Sequence, residues 1–460
     1  MQSTRDPGSF RDPSGHVHHE GGRIFRTVLP PGADDYEFVR GTGLHEHLQA
    51  SGSLIESVPV TGLDASWAAG AHVVLEHPRL PFVSYPFEWS FPALKAAALL
   101  TLDVSLDALD RGVALSDASA YNIQFDGPRP VFIDYLSFRQ YQEGEFWGAH
   151  RQFCEQFLNP LLLTAKTGVP YHPWMRGSLE GIPALELAPL LPLRAKASWM
   201  ILTQVVLQAR FQKGHRAKSA VRVNRMKLSK EAYRANMASL RKWIERLEPA
   251  AGRYSPWSGY AQDHSYSSSE EERKHEFVAE YAGRVRPTLM WDMGCNTGEY
   301  SAVALAAGAG RVIGFEGDHG ALDTAYLRAT RESLAFLPLY MDLANPSPDQ
   351  GWAQHERHGL AGRADADGLL ALALIHHLAI GRNIPLAWVV DWLVGLAPTG
   401  VIEFVPKADP MVQRLLDLRK DIFADYSWET FIHALEERAE VVRADTITDA
   451  GRKLVWYRRR

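Results

Sequence analysis

The sequence predicts a mixed α/β protein, with a doubly wound parallel sheet in its last part, an α+β part at its start and a helical connector between them. From residue 274 onward, short apolar runs alternate with helical segments, which is typical of a parallel sheet covered by helices on both faces. In the first 145 residues, turn residues separate short apolar runs. In the part of the chain that follows residue 145, apolar side chains recur at helical spacing. We therefore divide the chain into residues 1–145, 146–270 and 271–460.

Composition indicates a globular protein of two to three domains. The chain has 460 residues, 46% of them hydrophobic and 22% charged, with a formal net charge of −5. At about 150 residues per domain, this length allows two or three hydrophobic cores. A negative net charge excludes a chain-wide basic field for obligate nucleic-acid binding, so only a local basic cluster can support such binding.

The cysteine count and the hydropathy pattern predict the compartment. Cys154 and Cys295 are the two cysteines. They are too few for a disulfide framework, and no cluster of histidines, cysteines and acids has convincing metal-ligand spacing. The first residues lack the pattern of a signal peptide, and no apolar stretch reaches the roughly 20 residues of a membrane span. We expect a cytoplasmic protein without a metal or a membrane span.

The first part predicts β-hairpins around one long helix. Gly21 and Gly22 precede the apolar run from Arg23 to Val28, and a turn at residues 125–128 precedes the run from Val131 to Ile133. Between these runs, the segment from Pro92 to Leu109 contains helix formers throughout, with apolar residues at helical spacing. This combination predicts an α+β part.

The connector is predicted to be helical, from Phe146 to Ala165 and again from Lys230 to Leu247. Residues 210–242 hold eleven basic side chains and one acid, Glu231. We interpret this run as a solvated connector, and a surface for an anionic substrate such as nucleic acid is the alternative. The serine-rich run from Ser265 to Glu272 predicts a mobile entry to the last part, with ordering on ligand binding as the alternative.

The last part carries the clearest chemical motif, at its first predicted turn. Strands are predicted at Thr288 to Met293, Arg311 to Phe315, Ala335 to Tyr340, Leu369 to Leu374 and Gly400 to Val405. The first strand runs into the sequence DMGCNTG, residues 292–298, before a helical segment. Gly294 and Gly298 let the backbone approach a ligand closely, and Asn296 is a residue type that tolerates positive φ.

The same turn excludes the usual dinucleotide fingerprint. G-x-G-x-x-G would need glycines where this chain has Asn296 and Glu299. An acid at the start of the helix would also repel a pyrophosphate from the helix N-terminus. The next strand ends at Glu316, 24 residues after Asp292, a position suited to hydrogen bonds with a ribose diol. These features predict a nucleoside site without phosphate recognition.

The run from Asp292 to Gly298, followed by Glu316, resembles the first two motifs of class I S-adenosylmethionine-dependent methyltransferases. The resemblance covers roughly residues 280–460 and implies a Rossmann-like methyltransferase domain with S-adenosylmethionine as its cofactor. It implies that Glu316 binds the ribose, and that Asp342, at the position of the family's third-strand acid, contacts the adenine. The cofactor-binding residues that it implies are Asp292, Gly294, Asn296, Gly298, Glu316 and Asp342.

Two adjacent histidines are candidates for the methyl-transfer step. Methyl transfer depends on positioning, and it needs a base only where the acceptor is protonated. The fourth predicted strand leads into His376 and His377, and ligands of open α/β sheets bind beyond the carboxyl ends of the strands. An imidazole can accept a proton near neutral pH. We therefore name both histidines as candidate bases or substrate-orienting residues, with packing and helix capping as the alternative and the acceptor unidentified.

The end of the first part resembles the catalytic and metal-binding segments of kinase-like phosphotransferases. In that family an Asp is followed five residues later by an Asn, and a second Asp closes the next strand. The matching residues are Asp117, Asn122 and Asp134. The nucleotide-anchoring lysine has no counterpart, since the first lysine in the chain is Lys95, and Arg26 would replace only its charge. We interpret this part as a kinase-like fold used for substrate presentation or regulation, with a chance match as the alternative.

Taken whole, the chain resembles a bacterial family of large methyltransferases that includes a host-specific nodulation protein. The segments that carry this resemblance, beside the glycine loop, are 84–90, 120–125 and 153–158. It implies a role near surface or signalling glycans and leaves the substrate open. Two other functions stay open from the sequence: a regulatory protein that binds S-adenosylmethionine without turnover, and an active kinase in the first part.

Overall fold

The structure is a computed structural model and describes residues 4–63, 65–214, 227–250, 268–417 and 420–460. It contains two compact units. The first is Met1–Arg253 with Gly351–Arg357, and the second is Tyr254–Gln350 with His358–Arg460. The predicted connector therefore groups with the first part of the chain up to Arg253, so the structure has two units where the sequence predicts three parts.

The first unit contains an antiparallel five-stranded sheet of order β1-β2-β3-β5-β4. Its strands are β1 Thr4–Arg5, β2 Gly15–Glu20, β3 Arg23–Val28, β4 Val58–Val60 and β5 Val73–His77. Two smaller pairs join β6 Val113–Leu115 with β9 Phe138–Gln140, and β7 Ile123–Asp126 with β8 Arg129–Phe132. The predicted hairpins are confirmed, because positive φ at Gly21 and Gly22 turns the chain between β2 and β3.

Helices make up most of the rest of the first unit. They are α1 Pro30–Gly41, α2 Leu44–Ala50, α3 Phe91–Asp110, α4 His150–Phe153, α5 Asn159–Thr167, α6 His172–Gly177, α7 Ala184–Leu190, α8 Leu193–Lys196, α9 Trp199–Ile201, α10 Leu207–Gly214 and α11 Lys230–Glu245. The long helix α3 matches the predicted one within a residue at each end. It begins where the Ser90 hydroxyl accepts a hydrogen bond from the Ala93 N–H at 3.2 Å, and Pro92 lies in its first turn.

Helix α11 lies against α3, which explains why the predicted connector belongs to the first unit. The Arg234 Nε donates to Asp110 at 2.7 Å, and the Arg241 Nη2 donates to Asp103 at 3.0 Å. Arg234 and Arg241 of the basic run thus form ion pairs with acids of α3. Residues 215–226 of that run lie outside the described residues, so the choice between connector and anionic-substrate surface stays a prediction there.

The second unit contains a seven-stranded sheet of order β12-β11-β10-β13-β14-β16-β15. Its strands are β10 Leu289–Met293, β11 Arg311–Glu316, β12 Phe336–Tyr340, β13 Gly368–Ala371, β14 Thr399–Phe404, β15 Ala439–Thr446 and β16 Lys453–Arg459. The first five are parallel, and β16 runs antiparallel to both of its neighbours. All five residues of β10 are buried, as expected for a central strand covered on both faces.

Helices cover both faces of this sheet, so the predicted doubly wound α/β architecture is confirmed. They are α12 Ser268–Val285, α13 Glu299–Ala307, α14 His319–Arg331, α15 Ile375–Ala379, α16 Leu386–Leu396, α17 Pro410–Leu416 and α18 Trp428–Glu436. Phe277, Val278 and Tyr281 of α12 pack into a core that includes Met290 of β10 and Trp456 of β16. This packing holds α12 against the sheet.

Two sequence predictions need correction in the second unit. The predicted loop from Ser265 to Glu272 is wrong from Ser268 onward, because α12 already begins there; Glu270 and Glu271 lie in its first turn, where acids are favourable to the helix dipole. The fourth strand ends at Ala371, three residues before the predicted end. Its continuation is broken at Ala373, which has a φ of +48°. Residues 265–267 lie outside the described residues.

None of the helices in the described parts of the chain combines the length and the apolar character needed to cross a bilayer.

Candidate functional site

A cavity of about 520 Å³ opens in the second unit beyond the carboxyl ends of its parallel strands. The glycine loop after β10, the turns after β11 and β12, and the start of α15 all border it. This is where an open parallel sheet places its ligands, because loops from neighbouring strands diverge there. Five of the six predicted cofactor residues border this cavity: Asp292, Gly294, Asn296, Glu316 and Asp342.

Gly294 and Asn296 of the glycine loop have positive φ angles, as their residue types predict. Gly294 has a φ of +83°, and a Cβ added there would meet Leu374 Cδ1 at 3.6 Å, an ordinary contact. Asn296 adopts a φ of +50°. Because Gly294 has no side chain, a ligand in the cavity can approach the backbone at this position directly.

Gly298 needs a correction, because it does not border the cavity. Its φ is +78°, and a Cβ at this position would lie 2.4 Å from Phe336 Cε1. The glycine is therefore required by the packing of the loop on β12 and by the left-handed conformation that precedes α13. It shapes the loop and does not line the ligand space.

Glu316 holds the loop and the following turn together. Its Oε2 accepts a hydrogen bond from the Asn296 N–H at 2.8 Å, and its Oε1 accepts one from the Asp318 N–H at 2.7 Å. Burial raises the pKa of this carboxyl to about 7, although the two N–H groups favour its ionised form. A carboxylate held in this way at the cavity can accept hydrogen bonds from a ligand diol.

Asp292 lies at the carboxyl end of β10 and is 2% exposed. It accepts a hydrogen bond from the Ser301 Oγ of α13 at 2.6 Å. Burial raises the pKa of this carboxyl to about 6, and the Ser301 hydroxyl and the positive charge of Lys274 oppose that rise. Asp292 therefore connects the start of α13 to the bottom of the cavity.

The turn after β12 supplies the opposite wall. Asp342 accepts a hydrogen bond from the Ala344 N–H at 3.0 Å and lies 3.4 Å from the Arg382 guanidinium. The ring of Tyr340, which also borders the cavity, stacks on His319 with 4.6 Å between ring centroids. An acid and an aromatic ring at this position suit a planar base with exocyclic amino groups.

The structure separates the two candidate histidines. His377 is half-buried and borders the cavity, and burial lowers its pKa to about 4, so its ring is neutral near pH 7. His376 is 1% exposed, does not border the cavity, and packs on the His377 ring with 4.1 Å between centroids. Neither ring nitrogen of His376 has a hydrogen-bond partner among the described residues. The turn therefore presents one histidine to the cavity and buries the other.

A buried charged cluster beside the cavity is missed by the sequence analysis. Lys274 of α12 donates to Glu403 at 2.7 Å, and Glu403 also accepts from the Ala373 N–H at 2.9 Å. Arg452 donates to Asp409 at 2.7 and 2.9 Å and lies 3.5 Å from Glu403. Lys274 lies 129 residues before Glu403 in the chain and has no motif around it, so no local pattern indicates this pair.

Glu271, His275 and Glu299 form a second cluster at the edge of the cavity, with ligand atoms within 4.8 Å of one another. The Nε2 of His275 lies 2.7 Å from Glu299. The i, i+4 spacing of Glu271 and His275 on one helix face is the sequence signal for this pair. All three side chains are partly exposed, and such clusters are common without a bound ion.

The kinase-like residues also lie together, in the first unit. Arg26 of β3 pairs with Asp134 at 2.7 Å, and the Ser137 hydroxyl donates to Asp134 at 2.5 Å while accepting from the Asn122 amide at 3.1 Å. Burial raises the pKa of Asp117, and the negative charge of Asp134 raises it further. The four positions thus converge, and a nucleotide-binding role for them stays a prediction.

Five parallel strands followed by an antiparallel hairpin, in which the last strand inserts beside the fifth, are the topology of the class I S-adenosylmethionine-dependent methyltransferase fold. The glycine loop after the first strand and the acids after the second and third border the cavity expected for this class. Nodulation protein NoeA of Rhizobium meliloti (strain 1021) is 44% identical to this chain over 459 residues, which is 99% of this chain and 96% of that protein. The chain belongs to the family of nodulation protein NoeA. No family model matches the sequence.

Solved methyltransferases show weak likeness to the chain. Magnesium protoporphyrin IX methyltransferase (ChlM) of Synechocystis PCC 6803, with bound S-adenosylhomocysteine, is 15% identical with a TM-score of 0.33, over 45% of this chain and 94% of that one. The N-methyltransferase NodS of Bradyrhizobium japonicum WM9 is 15% identical with a TM-score of 0.31, over 42% of this chain and 98% of that one. Because these scores are below 0.5, the fold assignment rests on the strand order.

Proposed function

We propose that this protein is an S-adenosylmethionine-dependent methyltransferase whose cofactor binds in the cavity of the second unit. The observation that carries the proposal is the position of Glu316, whose carboxylate borders the cavity while loop N–H groups hold both of its oxygens. In this site Glu316 binds the ribose diol, and the backbone at Gly294 allows the nucleoside to approach. Asp342 and Tyr340 contact the adenine, and Asp292 lies below the loop.

His377 is the residue that we propose for the acceptor side. Its neutral ring borders the cavity, follows the fourth strand and can accept a hydrogen bond from the acceptor, whereas a pKa of about 4 makes it a weak base near pH 7. Positioning of the acceptor in line with the sulfonium methyl would supply much of the rate. His376 supports the ring of His377 from below.

The name of the 44% identical relative connects its family with nodulation. We propose on that basis that the acceptor is a glycan or another metabolite of the bacterial surface or of signalling. Both cysteines are free thiols, which supports a reducing, cytoplasmic compartment for the reaction.

The direct test is a label-transfer experiment. The full chain is incubated with methyl-labelled S-adenosylmethionine and cell extract, and label is followed into glycan, lipid, protein and nucleic acid fractions. We expect label in one acceptor class, and reduced transfer at limiting cofactor by Glu316→Ala, which should weaken cofactor binding by about 1 to 3 kcal/mol. Tight binding of S-adenosylhomocysteine with no transfer to any fraction would instead support a regulatory protein without turnover.

A further inference from the structure

We propose that the segment from Leu190 to Trp199, in the first unit, is a docking surface for an anionic lipid bilayer. The segment runs from the end of α7 to the start of α9 and includes the short helix α8. It combines exposed apolar side chains with cations, in a part of the sequence that contains no acid. A protein with this surface binds a membrane peripherally, and the inference does not depend on the cofactor site.

Three large apolar side chains of this segment are exposed. Leu193 is 85% exposed, Trp199 72% and Leu190 49%. Single exposed apolar residues are common on protein surfaces, whereas several within one short segment indicate a surface for a partner. Leucine and tryptophan are the residue types with which peripheral proteins enter a bilayer, the indole ring lying at the level of the headgroups.

Inward side chains hold this segment in place, so its exposed residues belong to a folded surface. Leu187 and Leu191 near its start, and Ile201 and Val205 just after its end, are each at most 2% exposed. Helices α7 and α10 also pack against each other. The backbone is therefore fixed before a partner binds, and docking would order only the outward side chains.

The charge of the segment matches an anionic surface. Arg194 and Lys196 lie in α8, between the exposed leucines and the exposed tryptophan, and neither pairs with an acid among the residues that the structure describes. No aspartate or glutamate occurs between Glu186 and Glu231 in the sequence. Cations close to an anionic leaflet add an electrostatic attraction to the insertion of apolar side chains.

The aliphatic residues favour a bilayer over a nucleic acid. Phosphate backbones are bound by cations and polar groups, and stacking on bases needs aromatic rings. Leu190 and Leu193 would gain nothing from either contact, whereas their insertion among headgroups and acyl chains removes apolar surface from water. The combination of leucines, one tryptophan and cations thus fits an anionic bilayer best.

Co-sedimentation of the full-length protein with vesicles tests the proposal. Wild type should bind vesicles of equal parts phosphatidylglycerol and phosphatidylcholine at least about tenfold more tightly than vesicles of phosphatidylcholine alone, and added salt should weaken this binding. The double variant Leu193→Gln with Trp199→Gln should lose about tenfold or more of the affinity for the anionic vesicles. Leu327→Gln with Trp388→Gln, at exposed residues of the second unit, is the matched control and should bind as wild type does.

A second double variant tests the charges. Arg194→Gln with Lys196→Gln should weaken binding to the anionic vesicles by about tenfold and leave binding to phosphatidylcholine unchanged. Because the substituted apolar side chains are exposed and the two cations lie at the surface, every variant should keep the wild-type unfolding temperature.

Three results would overturn the proposal. The first is wild-type protein that binds neither kind of vesicle, and the second is equal binding of the anionic vesicles by wild type and by the variant at Leu193 and Trp199. The third is a different occupant of the surface without vesicle binding. Duplex DNA bound by wild type, or a wild-type dimer that dissociates in the variant at Leu193 and Trp199, would each show such an occupant.

Discussion

At the scale of single residues, the two loop glycines have different physical roles. Gly294 faces the cavity, whereas Gly298 packs on Phe336. Gly294→Val should therefore abolish binding of S-adenosylhomocysteine, because its side chain would occupy the ligand space. Gly298→Ala should lower the free energy of unfolding by about 1 to 3 kcal/mol through backbone strain and the clash with Phe336.

Calorimetry and denaturant unfolding on both variants check this pair of expectations. Binding of the folded Gly298→Ala protein should stay close to wild type. Unchanged affinity in Gly294→Val, with the protein folded, would contradict the position of the nucleoside against the loop.

The raised pKa of Glu316 predicts that cofactor affinity depends on pH. The ribose diol donates to the ionised carboxylate, so binding should lower the pKa of Glu316 from about 7 and release a proton near that pH. Affinity should then fall as the pH is lowered from 8 to 6, by up to about tenfold per pH unit below the pKa.

Titrations in buffers of different ionisation enthalpy measure the released proton. In Glu316→Gln the step near pH 7 should be absent. A flat affinity profile in the wild type would show that no ionised carboxylate at this position binds the ligand.

The two histidines should also behave differently. His377→Ala should reduce methyl transfer by about tenfold through loss of the hydrogen bond that orients the acceptor, with S-adenosylhomocysteine affinity unchanged. His376→Ala should mainly reduce stability, since this ring is buried beneath its neighbour. Label transfer and unfolding curves separate the two effects, and equal transfer by wild type and His377→Ala would remove this residue from the reaction.

At the scale of elements, Asp318 connects the site to a helix start. Its carboxylate caps α14 by accepting from the Gly320 and Ala321 N–H groups, both at 2.9 Å, while its own N–H donates to Glu316. Asp318→Ala should cost about 1 kcal/mol of unfolding free energy, and Asp318→Ser, which retains a cap, should cost less. Chemical denaturation tests the order of the two variants, and equal stabilities would contradict the capping role.

The elements of the second unit could be predicted well because their strands are short apolar runs bounded by turn residues. One of the errors occurs where a side chain from another strand decides the backbone. The fourth strand stops early at Ala371, and the N–H of Ala373, two residues further on, donates to Glu403 of the next strand. No local pattern around Ala373 contains that information.

At the scale of the whole molecule, the first unit raises the question of a second activity. We expect no ATP-dependent phosphate transfer, because the nucleotide-anchoring lysine of that family has no counterpart here and Arg26, which could replace only its charge, already pairs with Asp134, the candidate metal ligand. Calorimetry with ATP and magnesium on the full chain measures this directly. Binding that Asp134→Ala abolishes would contradict the expectation and support a kinase-like nucleotide site.

The sequence by itself determined the class of the second unit and predicted most of the acids and glycines that border its cavity. These follow from a buried strand, a glycine turn and acids at the ends of successive strands, and all of these signals are local in sequence. Tertiary structure alone decided that Gly298 serves packing, that one histidine of two reaches the cavity, and that Lys274 lies beside the glycine loop. The reason is physical: burial and pairing of side chains depend on distances between segments far apart in the chain, and a single sequence does not encode those distances in any local pattern.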